Sequence, residues 1–344
     1  MVKLALTATV MEREALEAAD AVEHMLQKNA AAFQALGAQL RTTPPAVVVT
    51  VARGSSDHAA TYAKYLIETF VGVPVASAAP SIASVYGAPS APGRALCLAI
   101  SQSGRSPDLL ASVDAQRAAG AQVVALVNDE TSPLAERADT LAGLNVGPEL
   151  AVAATKSFIA SLAGVAALVA AWSENAELQA AVARLPDDLR RAASLDWRDA
   201  AASLMDADQL FVIGRGFGLG VAQEAALKLK ETCGVQAEAF SAAEVRHGPM
   251  AIVGEGFPVL LMAGSDTAGD SVRSVAAEFA ARGARTLLAD AQTGAGPLPT
   301  FAAHPAIEPI LMIQSFYRLA AHLSVSRGLN PDAPPHLRKV TETV

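Results

Sequence analysis

VVVTVARGSSDHAATYAKY, residues 47 to 65, and LFVIGRGFGLGVAQEAALK, residues 210 to 228, are two copies of one unit, and their likeness settles the architecture of the chain. Arg53-Gly54 falls on Arg215-Gly216 at a spacing of 162, with Ala60 and Ala63 on Ala222 and Ala225. The register persists further on. Ser81, Ala83 and Val85 match Ser241, Ala243 and Val245 at a spacing of 160, and Gly120 matches Gly283 at 163. Three blocks in nearly constant register point to duplication. Each copy opens with an apolar, β-branched run, turns at a glycine and continues with helical periodicity; the order recurs at residues 95 to 119 and 258 to 281. Strands that alternate with helices make a parallel, doubly wound sheet covered on both faces. The expected fold is α/β, a pair of three-layer αβα units.

The boundaries follow from the repeat. Residues 1–34 form a helical N-terminal segment, 35–190 the first unit, 195–328 the second and 329–344 a tail. The stretch Leu185-Pro186-Asp187-Asp188 lies near the join. Within residues 11 to 42 one or two amphipathic helices turn Leu16, Val22, Met25 and Leu26 inward. Pro331, Pro334 and Pro335 keep the tail from being a continuous helix, so it crosses the surface as a strap.

Composition narrows the partners. The 344 residues carry a net charge of −8, with 52% hydrophobic and 17% charged residues, which excludes a mainly disordered chain. No Lys/Arg-rich block exists to neutralise a phosphodiester backbone, so nucleic acid is not an expected partner. A small molecule is. Cys97 and Cys233 cannot build a disulfide framework, and the N-terminal twenty residues make a poor secretory signal; a cytoplasmic location is expected. The apolar run from Ser157 to Ser173 is shorter than the roughly 20 residues that span a bilayer and rich in small side chains, so it reads as a buried helix and not a membrane segment.

The chemistry should lie where the copies differ. After the strand at 95–100 comes Ser101-Gln102-Ser103-Gly104-Arg105-Ser106-Pro107, in which Ser106 can cap a helix that begins at Pro107. Hydroxyls, an amide and a helix N-terminus at the carboxyl end of a parallel strand suit a phosphate. Ser55 and Ser56 repeat the arrangement after the first strand. The second copy has Phe217-Gly218 and Ser265-Asp266-Thr267 instead, and a carboxylate repels phosphate, so phosphate binding belongs to the first copy. Gly214, Gly216, Gly218 and Gly220 do not satisfy the dinucleotide spacing G-x-G-x-x-G, because Leu219 and Val221 stand where a glycine is needed. Glu224, Lys228 and Glu231 share one helix face, which suits either a solvated salt-bridged stripe or an acid–base group beginning at a strand's carboxyl end. His247 precedes a Gly-Pro turn, and Lys156 opens the apolar helix, where it either anchors that helix or approaches the phosphate. No residues have metal-ligand spacing, and no cofactor is expected.

Taken together, Arg53-Gly54-Ser55-Ser56, Ser101-Gln102-Ser103-Gly104-x-Ser106, Glu149-x-x-Val152-Ala153-x-Thr155-Lys156, Glu224-x-Ala226-Leu227-Lys228-Leu229-Lys230-Glu231, Glu244-x-x-His247-Gly248-Pro249 and Leu337-x-Lys339 resemble the sugar isomerase (SIS) family. The motifs run in family order from about Met11 to Val344. The resemblance implies two tandem SIS domains with flavodoxin-like sheets, a homodimer with shared active sites, and a sugar 6-phosphate bound without metal or redox cofactor. It implies that Ser56, Ser101, Gln102, Ser103 and Ser106 hold phosphate, with Ser55, Val152, Lys156 and Glu224 as further contacts. It also implies that Glu231 moves a proton between C1 and C2 with help from Lys228. It implies further that His247, reaching across a subunit interface, opens the ring and that Lys339 engages the open-chain carbonyl. The family's glutamine-dependent synthases carry a glutaminase domain that finds no counterpart before Met1-Val2-Lys3, so the expected reaction is aminosugar-phosphate deamination with isomerisation. Galactosamine 6-phosphate, a fructosamine phosphate, or a sensing role in regulation are the alternatives.

Overall fold

The computed structural model describes residues 8–339. The reading of the N-terminus as a poor signal falls partly on residues 1–7, outside that range. Two sheets, parallel throughout, carry the two copies. The first is built from β1 (Val47–Val51), β2 (Val75–Ser77), β3 (Ala95–Ser101), β4 (Gln122–Val127) and β5 (Thr140–Gly143), in the order β2-β1-β3-β4-β5. The second, β6 (Gln209–Gly214), β7 (Gln236–Ser241), β8 (Pro258–Ala263) and β9 (Arg285–Asp290), has the order β7-β6-β8-β9. Four strands therefore repeat in one spatial order. Gly54 and Gly216, which follow the opening strands, both take positive φ, +54° and +59°, a turn that residues with a Cβ rarely enter.

Eleven α-helices accompany the strands among the described residues. In chain order they are α1 (Val10–Leu16), α2 (Ala18–Thr42), α3 (Ser55–Phe70), α4 (Pro80–Ser84), α5 (Pro107–Ala118), α6 (Pro133–Arg137), α7 (Lys156–Ser173), α8 (Ala176–Ser194), α9 (Leu219–Cys233), α10 (Thr267–Ala281) and α11 (Glu308–Ser326). The helix expected from Ser157 is α7. It is long and apolar enough to cross a bilayer, but 94% of it is buried inside the protein, where it packs on α2, α3 and α8. Gly37 of α2 lies against the Ala171 backbone of α7, and Gly164 leaves room for Leu126 of β4, which is why a run with so few large side chains forms the centre of the core.

One sequence expectation changes. Leu16 is 42% exposed, because α1 ends there and turns Met11, Glu14 and Ala15 inward instead; Val22 and Met25 are buried as expected, and Leu26 packs on the core from its edge. The Leu185–Asp188 stretch lies inside α8, which continues unbroken to Ser194 although Pro186 cannot donate a backbone hydrogen bond. Burial of Leu185, Pro186 and Leu189 against neighbouring helices outweighs that local loss. The α2 helix runs across residue 35 to Thr42 and packs along α7.

The two units meet along α3 and α9. Gly220 lies under the His58 carbonyl and the Tyr62 amide, and Glu224, one turn on, faces Ser55 and His58, so the helices run antiparallel. This has a consequence for chemistry. Glu231 sits at the carboxyl end of α9, away from the carboxyl edge of its own sheet and beside the serine loops of the first. The acid–base stripe does not serve the strand end at which its helix starts.

Candidate active site

The first sheet's carboxyl edge opens into a cavity of about 480 Å³. Its lining comes from five segments distant in sequence. The turn after β1 supplies Arg53, Gly54, Ser55 and Ser56, and the loop after β3 supplies Ser101, Gln102, Ser103 and Ser106. Val152 and Ala154 come from the connection before α7, Glu231 from α9, and Leu337, Arg338 and Lys339 from the tail. All five predicted phosphate ligands thus line one cavity, together with Ser55, Val152, Glu231 and Lys339.

The serine loop is shaped by its own backbone. Gly104 has φ +64°, and a Cβ there would stand 2.2 Å from the Ser132 hydroxyl, so no larger residue fits without displacing that side chain. The Ser101 hydroxyl accepts the Gly104 N–H at 3.0 Å and closes the turn from within. Ser106 occupies the cap position of α5 with Pro107 next, as expected, but its hydroxyl makes no capping bond. The reason is local: the Leu109 N–H that a cap would take is held by the Asp108 carboxylate at 2.7 Å. Among the described residues, the Ser56, Ser103 and Ser106 hydroxyls and the Gln102 amide meet no protein partner, so they remain available to a ligand at a helix N-terminus, where an anion is favoured.

Behind Glu231 lies a buried chain of charges. Lys228, 1% exposed, reaches Glu231 Oε2 at 2.5 Å and Glu224 Oε1 at 3.4 Å. Glu224 is fully buried. It accepts hydrogen bonds from Ser55 Oγ at 3.0 Å and Tyr317 Oη at 3.2 Å, and its other oxygen faces His58 Nδ1 at 3.0 Å. A carboxylate only accepts, so Nδ1 carries the proton. Burial pushes the Glu224 carboxyl up, yet Lys228, His58 and Ser55 outweigh it and hold the group below the usual carboxylate range. Burial likewise pushes Lys228 down, and the two flanking carboxylates carry it above its ordinary value. Tyr317 is driven well up, first by burial and then by Glu224, so it stays a donor. The stripe that also suited a solvated helix face is a run of ion-paired side chains, buried at Glu224 and Lys228, that ends with Glu231 at the cavity.

A second buried carboxylate anchors the opposite wall. Glu149 accepts the Thr155 and Ser157 N–H groups and the Ser157 hydroxyl, and Lys339 Nζ lies 3.2 Å from it and 2.7 Å from the Ala151 carbonyl. Lys156 is elsewhere. It pairs with Glu17 at 2.7 Å and anchors α7 to α2, taking the first of its two predicted roles. His247 lies exposed on a 3-10 turn (Glu244–His247) and does not line its own chain's cavity. Asp266, expected to repel phosphate, caps α10 by accepting the Gly269 N–H.

Sequence reasoning missed His58 and Tyr317. His58 stands one turn after Ser55 on the same helix, a spacing that could have pointed to it. Tyr317 lies 93 residues from Glu224 in a mostly apolar helix and carried no signal.

The sequence model of the SIS domain matches residues 46–171 and again residues 203–315, one match on each sheet. The chain belongs to the SIS domain family. Among its SIS relatives, the glutamine–fructose-6-phosphate aminotransferase (isomerizing) of Aeropyrum pernix is 36% identical over 313 residues, covering 85% of this chain and 50% of the relative. The chain spans about half the length of the curated relatives it matches. A solved SIS neighbour from Silicibacter pomeroyi, provisionally named a phosphosugar isomerase, superposes with a TM-score of 0.88 at 42% identity over 94% of this chain and 100% of that one. The glucosamine-6-phosphate deaminase of Thermotoga maritima shares the fold, with a TM-score of 0.79 at 22% identity over 97% and 100% of the two chains.

Proposed function

We propose that this SIS protein is a phosphosugar isomerase that acts as an aminosugar-phosphate deaminase, converting glucosamine 6-phosphate and water to fructose 6-phosphate and ammonia. One observation carries the reading: among the described residues Glu231 is the one carboxylate in the lining of a cavity that also holds the unpartnered hydroxyls of Ser56, Ser103 and Ser106. A sugar gripped by its 6-phosphate presents its first two carbons away from the grip, toward a base on the far wall. The deaminase direction draws support from the Thermotoga protein that bears this name, a chain matched over its full length by this one.

In the proposed mechanism the phosphate sits on Ser56, Ser101, Gln102, Ser103 and Ser106, and His247 of a second subunit assists ring opening. Glu231 takes the C2 proton from the open-chain aminoaldehyde and returns it to C1, while the amine nitrogen gives up one proton and O1 gains one, leaving a hydroxymethyl group and a C2 imine. Water adds to that imine and ammonia leaves, which yields the ketose. Lys228 holds the Glu231 carboxylate in place through the transfer, while Glu224 keeps Lys228 charged. Lys339, steadied by Glu149, engages the open-chain carbonyl oxygen in this scheme. General acid–base help of this kind contributes about 10²–10⁴-fold.

Ammonia release measured over glucosamine 6-phosphate, galactosamine 6-phosphate and fructosamine 6-phosphate, with unphosphorylated glucosamine as control, tests the proposal. Release from the first, and none from the control, is the expected result; no release from any member would remove the deaminase assignment.

A further inference from the structure

A dianion bound only by hydroxyls, an amide and a helix end lacks a full positive charge, and the cavity lining holds three cations: Arg338 and Lys339 from the tail, the latter held on Glu149, and Arg53 from the turn that carries Ser55 and Ser56. Two arginines flank the serine loops. Arg105 pairs with Asp129 at 2.7 Å and takes no part in the lining. Arg53 differs: it lines the cavity, is about half exposed there, and donates from Nε to Asp108 Oδ2 at 2.8 Å, with Nη2 on the same oxygen. Asp108 is 1% exposed and belongs to the first turn of α5, two residues beyond the cap residue Ser106. Its other oxygen is fixed on the Leu109 N–H. The guanidinium is therefore clamped along one edge at the N-terminus of α5, beside Ser106, while its Nη1 donors meet no protein acceptor among the described residues. Arginine suits this place because its planar fork can bind a carboxylate on one edge and a phosphate on another.

We infer that Arg53 is a direct ligand of the substrate phosphate and the residue that makes the cavity discriminate phosphorylated from unphosphorylated sugars, with Asp108 as its positioning residue. The inference rests on the serine-loop reading of the phosphate site and goes beyond it by adding the missing charge. It predicts a sign. Removing the guanidinium weakens phosphate binding, whereas neutralising Asp108 leaves the arginine charge in place and takes a negative charge away from the site.

The test is calorimetric titration with fructose 6-phosphate, with inorganic phosphate as competitor and fructose as control, on the wild type, Arg53→Met, Arg53→Lys and Asp108→Asn. Arg53→Met should bind fructose 6-phosphate about 10-fold or more weakly, in line with the loss of a charge-assisted hydrogen bond, and lose competition by phosphate. Arg53→Lys should fall between it and the wild type, and it decides the matter if Arg53→Met does not fold. Asp108→Asn should bind within about threefold of wild type or more tightly. In turnover the Arg53 loss should appear in KM with kcat kept. Fructose 6-phosphate affinity within twofold of wild type in the arginine variants would overturn the inference, as would an Asp108→Asn loss equal to that of Arg53→Met, which marks a merely structural pair. Wild-type protein that binds fructose as well as its phosphate would instead remove the serine-loop reading, and this inference with it.

Discussion

At the scale of single residues, Glu224 is the hub. It ties two groups of the first unit, Ser55 and His58, to Lys228 of the second and to Tyr317 of the last helix. Removing its charge leaves a buried lysine facing Glu231 alone. Glu224→Ala should destabilise the protein by about 3–5 kcal/mol in chemical denaturation, the usual cost of breaking a buried pair by deleting one partner. The milder Glu224→Gln reads the pH dependence. The folded-state pKa of Glu224 is depressed, so its contribution is present above the unfolded carboxyl value and is lost as pH falls through the folded one. That of Lys228 is raised, so its contribution is full below the ordinary lysine value and fades only in strong alkali. The stability gap between wild type and Glu224→Gln should therefore be flat through neutral pH and close in acid, below the ordinary carboxylate value of 4.5. Glu231→Gln belongs to the same scale. It should cut turnover by about 10²–10⁴-fold while fructose 6-phosphate still binds, and undiminished turnover would deny this carboxylate the proton transfer.

At the scale of elements, the contact of α3 with α9 places Glu231. A Cβ on Gly220 would come within 2.4 Å of the His58 carbonyl and 3.1 Å of the Tyr62 amide, both backbone atoms that cannot swing aside. Gly220→Ala should therefore cost about 1–3 kcal/mol by forcing the helices apart, despite alanine's better helix propensity. Because that shift also draws Glu224 from Ser55, turnover should fall together with the melting temperature. The helical period alone placed Glu224, Lys228 and Glu231 on one face, and that much was legible in advance. Whether the face met water or a second unit was not, since the answer depends on how close another helix can come. Ser106 shows the same limit: its cap position was readable from Ser-Pro, but not that Asp108 would take over the capping bond and release the hydroxyl.

At the scale of the whole molecule, α1 and the tail are joined beside the cavity. Asp332 accepts the Val10 and Met11 N–H groups, and its carbonyl accepts the Val152 N–H, so the tail, α1 and one cavity wall are joined at a single residue. Glu14 adds to the joint by accepting the Leu150 and Ala151 N–H groups. Asp332→Ala should lower stability by about 1.5–3 kcal/mol, read by denaturant, with a loss of turnover as Lys339 loosens. His247 raises the question of assembly. It lies outside its own chain's cavity, and the proposed dimer supplies it from the neighbour. Mixed and refolded His247→Ala and Glu231→Gln chains, each inactive alone, should then regain about a quarter of wild-type activity, since half the dimers carry one complete site. No recovery would place His247 outside the shared site.

The amino-acid sequence by itself determined the duplication, the parallel α/β architecture and the set of groups fit for phosphate and proton chemistry, because strand and helix periods and turn residues are local properties of the chain. The tertiary structure alone decided that Glu231 of the second copy shares a cavity with the serine loops of the first, that His58 and Tyr317 join Glu224 behind it, and that Lys156 anchors a helix. Those outcomes depend on helix contact at backbone distance and on the burial of charge, and neither is set by neighbours in sequence.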